Sequence, residues 1–171
     1  MGDIKRKRRL YKKPRKPFDS ERIGEENKII EKYGLKNKRE IWKASSKISD
    51  LRKRAKSLIS KTKEEKEVFF ERLRNMGFSI NSIDEVLALK TEDLLERRLQ
   101  TFVFKKGLAN TPKQARQLVT HKYVLVDENI VNTPSFLITK ELENKISIKE
   151  KKEKSVKEEK VENKEEANEQ G

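Results

Sequence analysis

Residues 110–128 carry many polar and cationic side chains on a stretch with few apolar residues. The segment reads NTPKQARQLVTHKYVLVDE, and its donors are Lys113, Gln114, Arg116, Gln117, His121 and Lys122. Arginine binds a phosphate through two parallel hydrogen bonds, and glutamine binds a sugar hydroxyl or the edge of a base. These residue types therefore indicate recognition of a nucleic-acid backbone, and of RNA in particular.

A short helix must position these donors. Thr111 is a typical N-cap, Pro112 suits the first helical position, and Gln114 stands where it closes a capping box. We expect about nine helical residues. The predicted apolar face consists of Ala115, Leu118 and Val119. The free N–H groups and the positive dipole end at the start of such a helix attract phosphate.

The helix before it adds further cations. One continuous helix is predicted from 91 to 107, and its basic residues are Arg97, Arg98, Lys105 and Lys106. Arg116 is expected on the outward face of the following helix, and Ala115 is expected to pack against residues 92–106. Together the two helices are predicted to form a cationic ridge with fixed spacing.

Positive charge is concentrated in three blocks of the chain, which has a net charge of +14. Residues 1–17 hold nine Lys/Arg and one Asp, residues 36–62 hold ten and two acids, and residues 95–122 hold seven and one acid. Such blocks suit a long polyanion that touches several places on a protein. The candidate contacts outside 95–122 are Lys5, Arg6, Arg8, Arg9, Arg39, Lys43, Lys47 and Arg54.

The composition and periodicity predict an α+β fold in four segments. A basic arm at 1–17 precedes an all-α helical domain at 18–93, a mixed module at 94–148 and a charged tail at 149–171. The arm and the tail contain little to bury, so both are expected to be disordered, and the arm is expected to order on nucleic acid.

Capping signals and helical periodicity place the first helices. One is predicted from the N-cap Ser20 to Gly34, and a longer one spans about 38–60. The longer helix has an inward apolar stripe and a cationic outer side. Its predicted stripe is Ile41, Ala44, Ile48, Leu51, Ala55, Leu58 and Ile59. Trp42 falls off this stripe, and we expect it to pack under a neighbouring element rather than to meet a nucleobase.

After Lys122 the pattern changes to that of strands. Residues 123–127 and 129–132 are predicted to form two short strands around a turn at Asp127 and Glu128. The segments SFLIT and KISI are candidates for two more strands. We therefore expect the two helices of the module to pack on a small, mainly antiparallel sheet.

Composition disfavours several classes of function. The chain has no cysteine and one histidine, so neither a disulfide framework nor a multi-histidine or thiolate metal site is expected. No stretch approaches the roughly 20 apolar residues of a membrane span. No secretory signal is visible, so the expected location is the cytosol. His121 has no cysteine partner for catalysis; neither an enzyme nor a cofactor is expected.

Residues 94–139 resemble the αL-type RNA-binding module, which occurs in a ribosomal protein, in pseudouridine synthases, in one class of tyrosyl-tRNA synthetase and in a heat-shock RNA-binding protein. The matching pattern is Leu95-x-x-Arg98-Leu99, Ala115-Arg116-Gln117-Leu118-Val119 and Val124-x-Val126. Residues 1–42 are similar to the N-terminus of the archaeal and eukaryotic family of small-subunit ribosomal protein four. The two segments cover about half of the chain.

This resemblance implies direct binding to small-subunit rRNA and an early role in assembly of the subunit body. It also implies a position near the decoding centre and the channel through which mRNA enters, an effect on translational accuracy, and small-subunit proteins five and twelve as neighbours. The RNA-facing positions that it implies are Arg97, Arg98, Thr111, Lys113, Gln114, Arg116, Gln117 and His121.

The chain departs from the family pattern at three places. Lys122 stands where glycine is common, and Asp127-Glu128-Asn129 replaces an Asn-Gly type of turn. The acidic turn weakens the case that the hairpin tip touches phosphate. The cysteine cluster that holds zinc in some bacterial relatives is missing, so the N-terminal region must order without metal.

Two other functions fit the same residues. One is an accessory protein of RNA modification that uses the same module, although the rest of the chain is short for a catalytic domain and shows no Gly-rich phosphate loop. The other is a basic protein that binds nucleic acid without specificity. Competition between an rRNA fragment and duplex DNA at equal salt separates this second alternative from rRNA recognition.

Overall fold

Residues 10–149 are described by a computed structural model. The helices in this part are α1 (Ser20–Tyr33), α2 (Lys38–Leu58), α3 (Lys63–Asn75), α4 (Ile83–Ala88), α5 (Thr91–Glu96), α6 (Leu99–Lys105) and α7 (Pro112–Thr120). The strands are β1 (Val124–Val126), β2 (Asn129–Ile130) and β3 (Ile146–Ile148), and a 3-10 helix covers Lys140–Lys145. The predicted α+β class is confirmed. The predictions for residues 1–9 and 150–171 lie outside the described residues.

Helix α1 is capped at both ends by its own sequence. The Asp19 carboxylate accepts a hydrogen bond from the backbone N–H of Arg22, so Asp19 is the N-cap and the predicted cap Ser20 is the first helical residue. Gly34 ends the helix with φ 59°. A Cβ at this position would lie 2.9 Å from Pro112, so the glycine also lets the start of α7 approach the end of α1.

Helix α2 follows the predicted pattern over most of its length. Ile41, Ala44, Ile48 and Ala55 are buried and pack with residues of α1, α3, α4 and α5 in the first hydrophobic core. Ile59 was predicted on the same stripe, but its side chain is 57% exposed. The α-helix ends at Leu58, and Ile59, its C-cap, keeps helical backbone angles but lies beyond the part of the stripe that the first core covers.

Trp42 packs against its neighbours, as predicted. Its indole N–H donates to the buried Glu26 carboxylate at 2.9 Å, and its ring lies 6.0 Å from the ring of Tyr11. Burial raises the pKa of Glu26, but the hydrogen bonds from Trp42 and Arg22 and the charge of Arg22 outweigh this effect and hold the pKa below its ordinary value.

The expectation that the whole arm lacks structure is wrong for residues 10–17. The backbone N–H of Lys12 donates to Ser46 Oγ of α2 at 3.2 Å, next to the contact between Tyr11 and Trp42. Arg22 of α1 donates to the backbone carbonyls of residues 16 and 17. One aromatic ring and a few backbone hydrogen bonds therefore hold a segment that its composition marks as unable to fold alone.

The helix predicted from 91 to 107 is divided in two. Helix α5 ends at Glu96, and α6 begins at Leu99. Between them Arg98 forms an isolated antiparallel bridge with Leu137: the N–H of Leu99 donates to the carbonyl of residue 136 at 2.8 Å, and the N–H of residue 138 donates to the carbonyl of residue 97 at 2.9 Å. Tertiary hydrogen bonds override local helix propensity here.

The second core lies between α6, α7 and the sheet. The strand order is β2-β1-β3, with both pairs antiparallel. Ala115 and Val119 of α7 are fully buried in this core, as predicted, beside Leu99 and Val103 of α6 and Val124 of β1. The two predicted strands around residues 127–128 and the KISI strand are confirmed. Of the SFLIT segment, only Leu137 makes a strand-like bridge.

Backbone strain marks three non-glycine positions of the described residues. Lys122 has φ 64°, Asp127 has φ 52° and Glu128 has φ 65°. The left-handed region costs a residue with a Cβ about 1–2 kcal/mol, so each of these positions retains a turn that glycine would form more readily. Lys145 partly supports the hairpin turn through an ion pair with Asp127 at 2.8 Å.

Gln100 joins the two cores. Its side chain is 2% exposed, and its amide nitrogen lies within 3.0 Å of the carbonyl oxygens of Tyr33, Gly34 and Pro112. Its amide oxygen accepts a hydrogen bond from Arg116 at 3.3 Å. One buried amide therefore bonds to the backbone carbonyls at the end of α1 and at the start of α7, and it holds these helix ends next to α6.

Candidate nucleic-acid interface

A row of exposed cations runs along one side of α2. Arg39, Lys43 and Lys47 follow each other at a spacing of four residues, which places them on one helical face over about 12 Å. Arg54 continues the row seven residues further on and is also exposed. Within residues 10–149, the side chains of these four cations form no ion pair. Their charges are therefore open to an external anion.

Arg39, Lys43 and Lys47 of this row line one wall of a groove between α2 and the module. The groove has a volume of about 480 Å³, and the loop at 134–137 forms its other side. Arg98 and Arg116 also line it. We call this feature the interdomain groove. Its further lining residues include Leu10, Lys36, Asn37, Glu40, Ala44, Leu94 and Leu95.

One carboxylate holds Arg98 and Arg116 in the interdomain groove. Arg98 Nη2 lies 2.8 Å from Glu40 Oε2, and Arg116 Nη2 lies 2.9 Å from Glu40 Oε1. Burial raises the pKa of Glu40, but the hydrogen bond from Arg116 and the charges of both arginines outweigh it and hold the pKa below its ordinary value. The three groups together keep one positive charge. Among the described residues, the buried Nη1 of Arg98 has no hydrogen-bond partner.

The prediction that Arg116 and Arg98 project outward as a ridge is wrong. Arg98 is 8% exposed, and the Arg116 side chain is 23% exposed and bonded to Glu40 and Gln100. Both guanidinium groups lie at the contact between the helical domain and the module, where they stabilise the fold. Their positive charge still reaches the interdomain groove.

Arg97 also has a different environment from the one predicted. Its guanidinium group donates to the backbone carbonyls of Met76 and Ile138 and to the Glu143 carboxylate. It lies 4.9 Å from the centre of the Phe102 ring. A guanidinium group with these partners connects α3, the module and the 3-10 helix. The outward orientation expected for Arg97 is therefore wrong.

The outer face of α7 carries the remaining predicted donors. Lys113, Gln117, His121 and Lys122 are exposed, and within the described residues the side chains of the two lysines form no ion pair. Lys106, at the end of α6, is exposed in the same way. Lys105 is paired with Glu96 at 2.9 Å on the surface. We call Lys106, Lys113, Gln117, His121 and Lys122 the α7 face.

Thr111 and Gln114, which were predicted to contact RNA, use their side chains in hydrogen bonds at the start of α7. Thr111 Oγ1 accepts the backbone N–H of Gln114 at 3.1 Å, which confirms the predicted cap. The Gln114 amide oxygen accepts the N–H of Asn110 at 2.9 Å rather than that of the cap residue. Both side chains are exposed and retain further hydrogen-bonding capacity. The arm residues Lys5, Arg6, Arg8 and Arg9 lie outside the described residues.

Sequence reasoning missed Glu40 and Gln100. Glu40 is one of only two acids among the cations of 36–62, and this isolation is a signal that a nearby cation needs a partner. Gln100 follows Leu99 in α6 at a core-facing position, and a buried amide there must bond to backbone carbonyls or to another side chain.

Comparison with known proteins identifies the class first. The S4 domain family matches residues 97–144, which include α6, α7, the hairpin and most of the 3-10 helix. The S4 domain is an RNA-binding module. The chain therefore contains an S4-type RNA-binding domain, attached to a helical domain that supplies the cationic side of α2.

The relatives then define the particular family. Small ribosomal subunit protein uS4 of Methanococcus aeolicus is 44% identical over 154 residues, which cover 86% of this chain and 87% of the relative. The protein of the same name from Picrophilus torridus is 40% identical over 160 residues, with 88% and 87% covered. That of Saccharolobus islandicus is 43% identical over 153 residues, with 85% and 84% covered. The chain belongs to the uS4 family of small-subunit ribosomal proteins.

Within residues 10–149, no group of three or more His, Cys, Asp or Glu side chains is arranged to hold a metal ion. The helices of that same range are all too short or too polar to span a membrane.

Proposed function

We propose that this protein is a structural constituent of the small ribosomal subunit and binds small-subunit rRNA directly through the interdomain groove and the α7 face. The observation that carries the proposal is the unpaired row Arg39, Lys43 and Lys47 beside two guanidinium groups that share one carboxylate. Family membership supports the ribosomal role.

The arrangement suits a folded RNA backbone. The groove presents cations from one rigid helix, and phosphates that enter it meet positive charge without any rearrangement of the protein. Gln117 and His121 on the α7 face add exposed hydrogen-bonding groups, which can bind a ribose hydroxyl or an exposed base edge. Two surfaces at a fixed angle favour an RNA junction over a straight duplex.

The same proposal extends to the role of the bound protein. It orders the subunit body early in assembly, contributes to translational accuracy near the channel through which mRNA enters, and has small-subunit proteins five and twelve as neighbours. It acts in cytoplasmic ribosomes as a structural component without catalysis, metal or cofactor. Similarity to proteins named for the small subunit supports this extension.

A matched pair of triple variants tests the groove. Both sets remove three exposed cations whose side chains form no ion pair in the described residues, one set from the groove and one from the region around α3. The groove variant is Arg39→Ala, Lys43→Ala and Lys47→Ala. The control is Lys61→Ala, Lys63→Ala and Arg72→Ala.

Filter binding to a small-subunit rRNA fragment is measured for both variants at several salt concentrations. We expect the groove variant to bind more weakly and the slope of log affinity against log salt to flatten by about 2–3, because each lost phosphate contact removes roughly 0.7–0.9. The control should keep nearly the parent slope. Equal losses in the two variants would show that net charge alone, and not the groove, carries the binding.

Non-specific nucleic-acid binding is tested by competition. The parent protein, bound to the rRNA fragment, is challenged with duplex DNA and with unlabelled rRNA at the same salt. We expect rRNA to compete at far lower concentration. Equal competition by duplex DNA, together with failure to sediment with small subunits at high salt, would overturn the proposed function.

A further inference from the structure

Phe18 is an apolar side chain held in solvent. It is 94% exposed, more than any other large hydrophobic residue among residues 10–149. It stands immediately before Asp19, the N-cap of α1, and after the segment that rests on α2. Isolated exposed apolar residues are common on proteins, so exposure by itself indicates no site.

The backbone on both sides of Phe18 is fixed. Arg22 Nη2 donates to the carbonyl oxygens of Lys16 and Pro17 at 3.1 and 3.0 Å, and Asp19 accepts the backbone N–H of Arg22. The Arg22 guanidinium group is itself held by Glu26 at 2.6 Å. A single arginine therefore ties the segment before Phe18 to the first turn of α1, and the ring projects from a rigid bend.

The surroundings of the ring are cationic. Arg15 and Lys16 are exposed and form no ion pair within the described part of the chain, and Lys12 and Lys13 precede them. Glu21, in the first turn of α1, is the nearest exposed acid in the sequence. An open aromatic face next to several free cations matches a partner that combines a flat π surface with negative charge. An unpaired nucleotide has both properties.

We propose that Phe18 stacks on an unpaired base of the bound RNA, while Arg15 and Lys16 bind the phosphates on either side of that base. This inference rests on the proposed function and names a contact outside the groove and the α7 face. The prepared position of the ring means that stacking orders no additional backbone. Burial of Phe18 in an apolar pocket of a protein neighbour would require only a hydrophobic side chain, whereas stacking on a base requires an aromatic ring. The variants below separate these two contacts.

Three full-length variants test the proposal: Phe18→Ala, Phe18→Leu and Phe18→Tyr. Their affinities for the small-subunit rRNA fragment are measured at one salt concentration. We expect the alanine and leucine variants to bind about 5- to 100-fold more weakly and the tyrosine variant to bind like the parent. The salt slope should stay unchanged in all three, because no phosphate contact is lost.

Val68→Ala is the matched control. Val68 is 67% exposed on α3, beside Glu64, Glu65, Glu67 and Glu71, where a polyanion would be repelled. This variant should keep the parent affinity. Thermal melts of every variant should coincide with the parent melt, since both altered side chains are exposed.

Two results would overturn the stacking contact. If Phe18→Leu binds as tightly as the parent while Phe18→Ala does not, the contact is hydrophobic and not stacking. If all three variants bind like the parent, Phe18 makes no contact with the RNA. In both cases the parent still binds rRNA, and the proposed function stands. Failure of the parent itself to bind would refute the proposed function and this contact together.

Discussion

The Glu40 carboxylate forms ion pairs with two arginines of the module. Arg98 and Arg116 lie 58 and 76 residues further along the chain; Arg98 donates to one oxygen of the carboxylate, and Arg116 donates to both. Removal of the carboxylate from this half-buried cluster leaves charged donors without acceptors, which costs more free energy than the loss of a surface ion pair. The structure therefore assigns Glu40 a role in stability and Arg116 a role shared between stability and charge in the groove.

Glu40→Gln should lower the free energy of unfolding by about 1.5–3 kcal/mol, because the amide accepts fewer hydrogen bonds and leaves two guanidinium groups uncompensated. Urea unfolding followed by circular dichroism measures the loss. Asp50→Asn on the same helix is the control, since the pair between Asp50 and Lys53 is exposed on both sides. Equal midpoints for the two variants would show that the Glu40 cluster contributes no more than a surface pair.

The effect of Glu40→Gln should depend on pH. The folded-state pKa of Glu40 lies below the ordinary value of 4.5, so the carboxylate contributes its full stability above about pH 4.5 and loses it as pH falls through the folded-state pKa. The difference in unfolding free energy between parent and variant should be constant from about pH 8 to 5.5 and should shrink below about pH 4.5. A difference that grows on acidification would contradict this assignment.

At the scale of elements, the sequence predicted those helices and strands whose bounds are decided by residues close together in the chain. The cap at Thr111, the stripe of α2 and the change of period after Lys122 predicted α7, α2 and β1 with nearly the observed bounds. The break between α5 and α6 had no such signal. It depends on hydrogen bonds to residues 136–138, about forty positions away, which no local pattern contains.

The residues of the candidate interface divide in the same way, into those that the sequence could predict and those that it could not. The exposed cations of α2 and α7 could be predicted, because helical periodicity tells which residues face away from the core. The burial of Arg97, Arg98 and Arg116 could not, because arginines on a charged helix look alike until their distant partners, Glu143 and Glu40, are known.

Glu128→Gly should stabilise the protein by about 0.5–1 kcal/mol. Glu128 has φ 65° in the hairpin turn, and removal of the Cβ relieves strain by more than the added flexibility of the unfolded chain costs. Thermal unfolding measures the gain. Ser147→Gly, in the regular strand β3, is the control and should destabilise, because glycine has no strain to relieve there. A lower melting temperature for Glu128→Gly would mean that the acidic side chain supports the turn.

At the scale of the whole molecule, two cores share one polar contact region. The first core ends at Leu95 and the second begins at Leu99. Gln100 and the Glu40 cluster hold the two together through hydrogen bonds. Because Glu40, Arg98 and Arg116 also line the interdomain groove, we expect a change in the mutual orientation of the cores to change the proposed RNA-binding surface.

Removal of residues 1–9 should flatten the salt dependence of rRNA binding. This segment contains five Lys/Arg and one Asp, and every phosphate contact that it makes contributes roughly 0.7–0.9 to the slope of log affinity against log salt. Removal of residues 150–171 is the control, because its six lysines are outnumbered by eight glutamates. Filter binding between about 50 and 200 mM salt gives both slopes. An unchanged slope without residues 1–9 would show that these nine residues make no phosphate contact.

The distance along the chain between Glu40 and its partners sets an order of events during synthesis. Arg116 follows Glu40 by 76 residues, which at about 5–20 residues per second takes roughly 4–15 s. Throughout that interval the Glu40 carboxylate and the backbone carbonyls of Tyr33 and Gly34 lack their partners in the module. The groove is complete only when α7 and residues 134–137 have been made, so under the proposed function we expect a nascent chain to bind RNA through it only after that point.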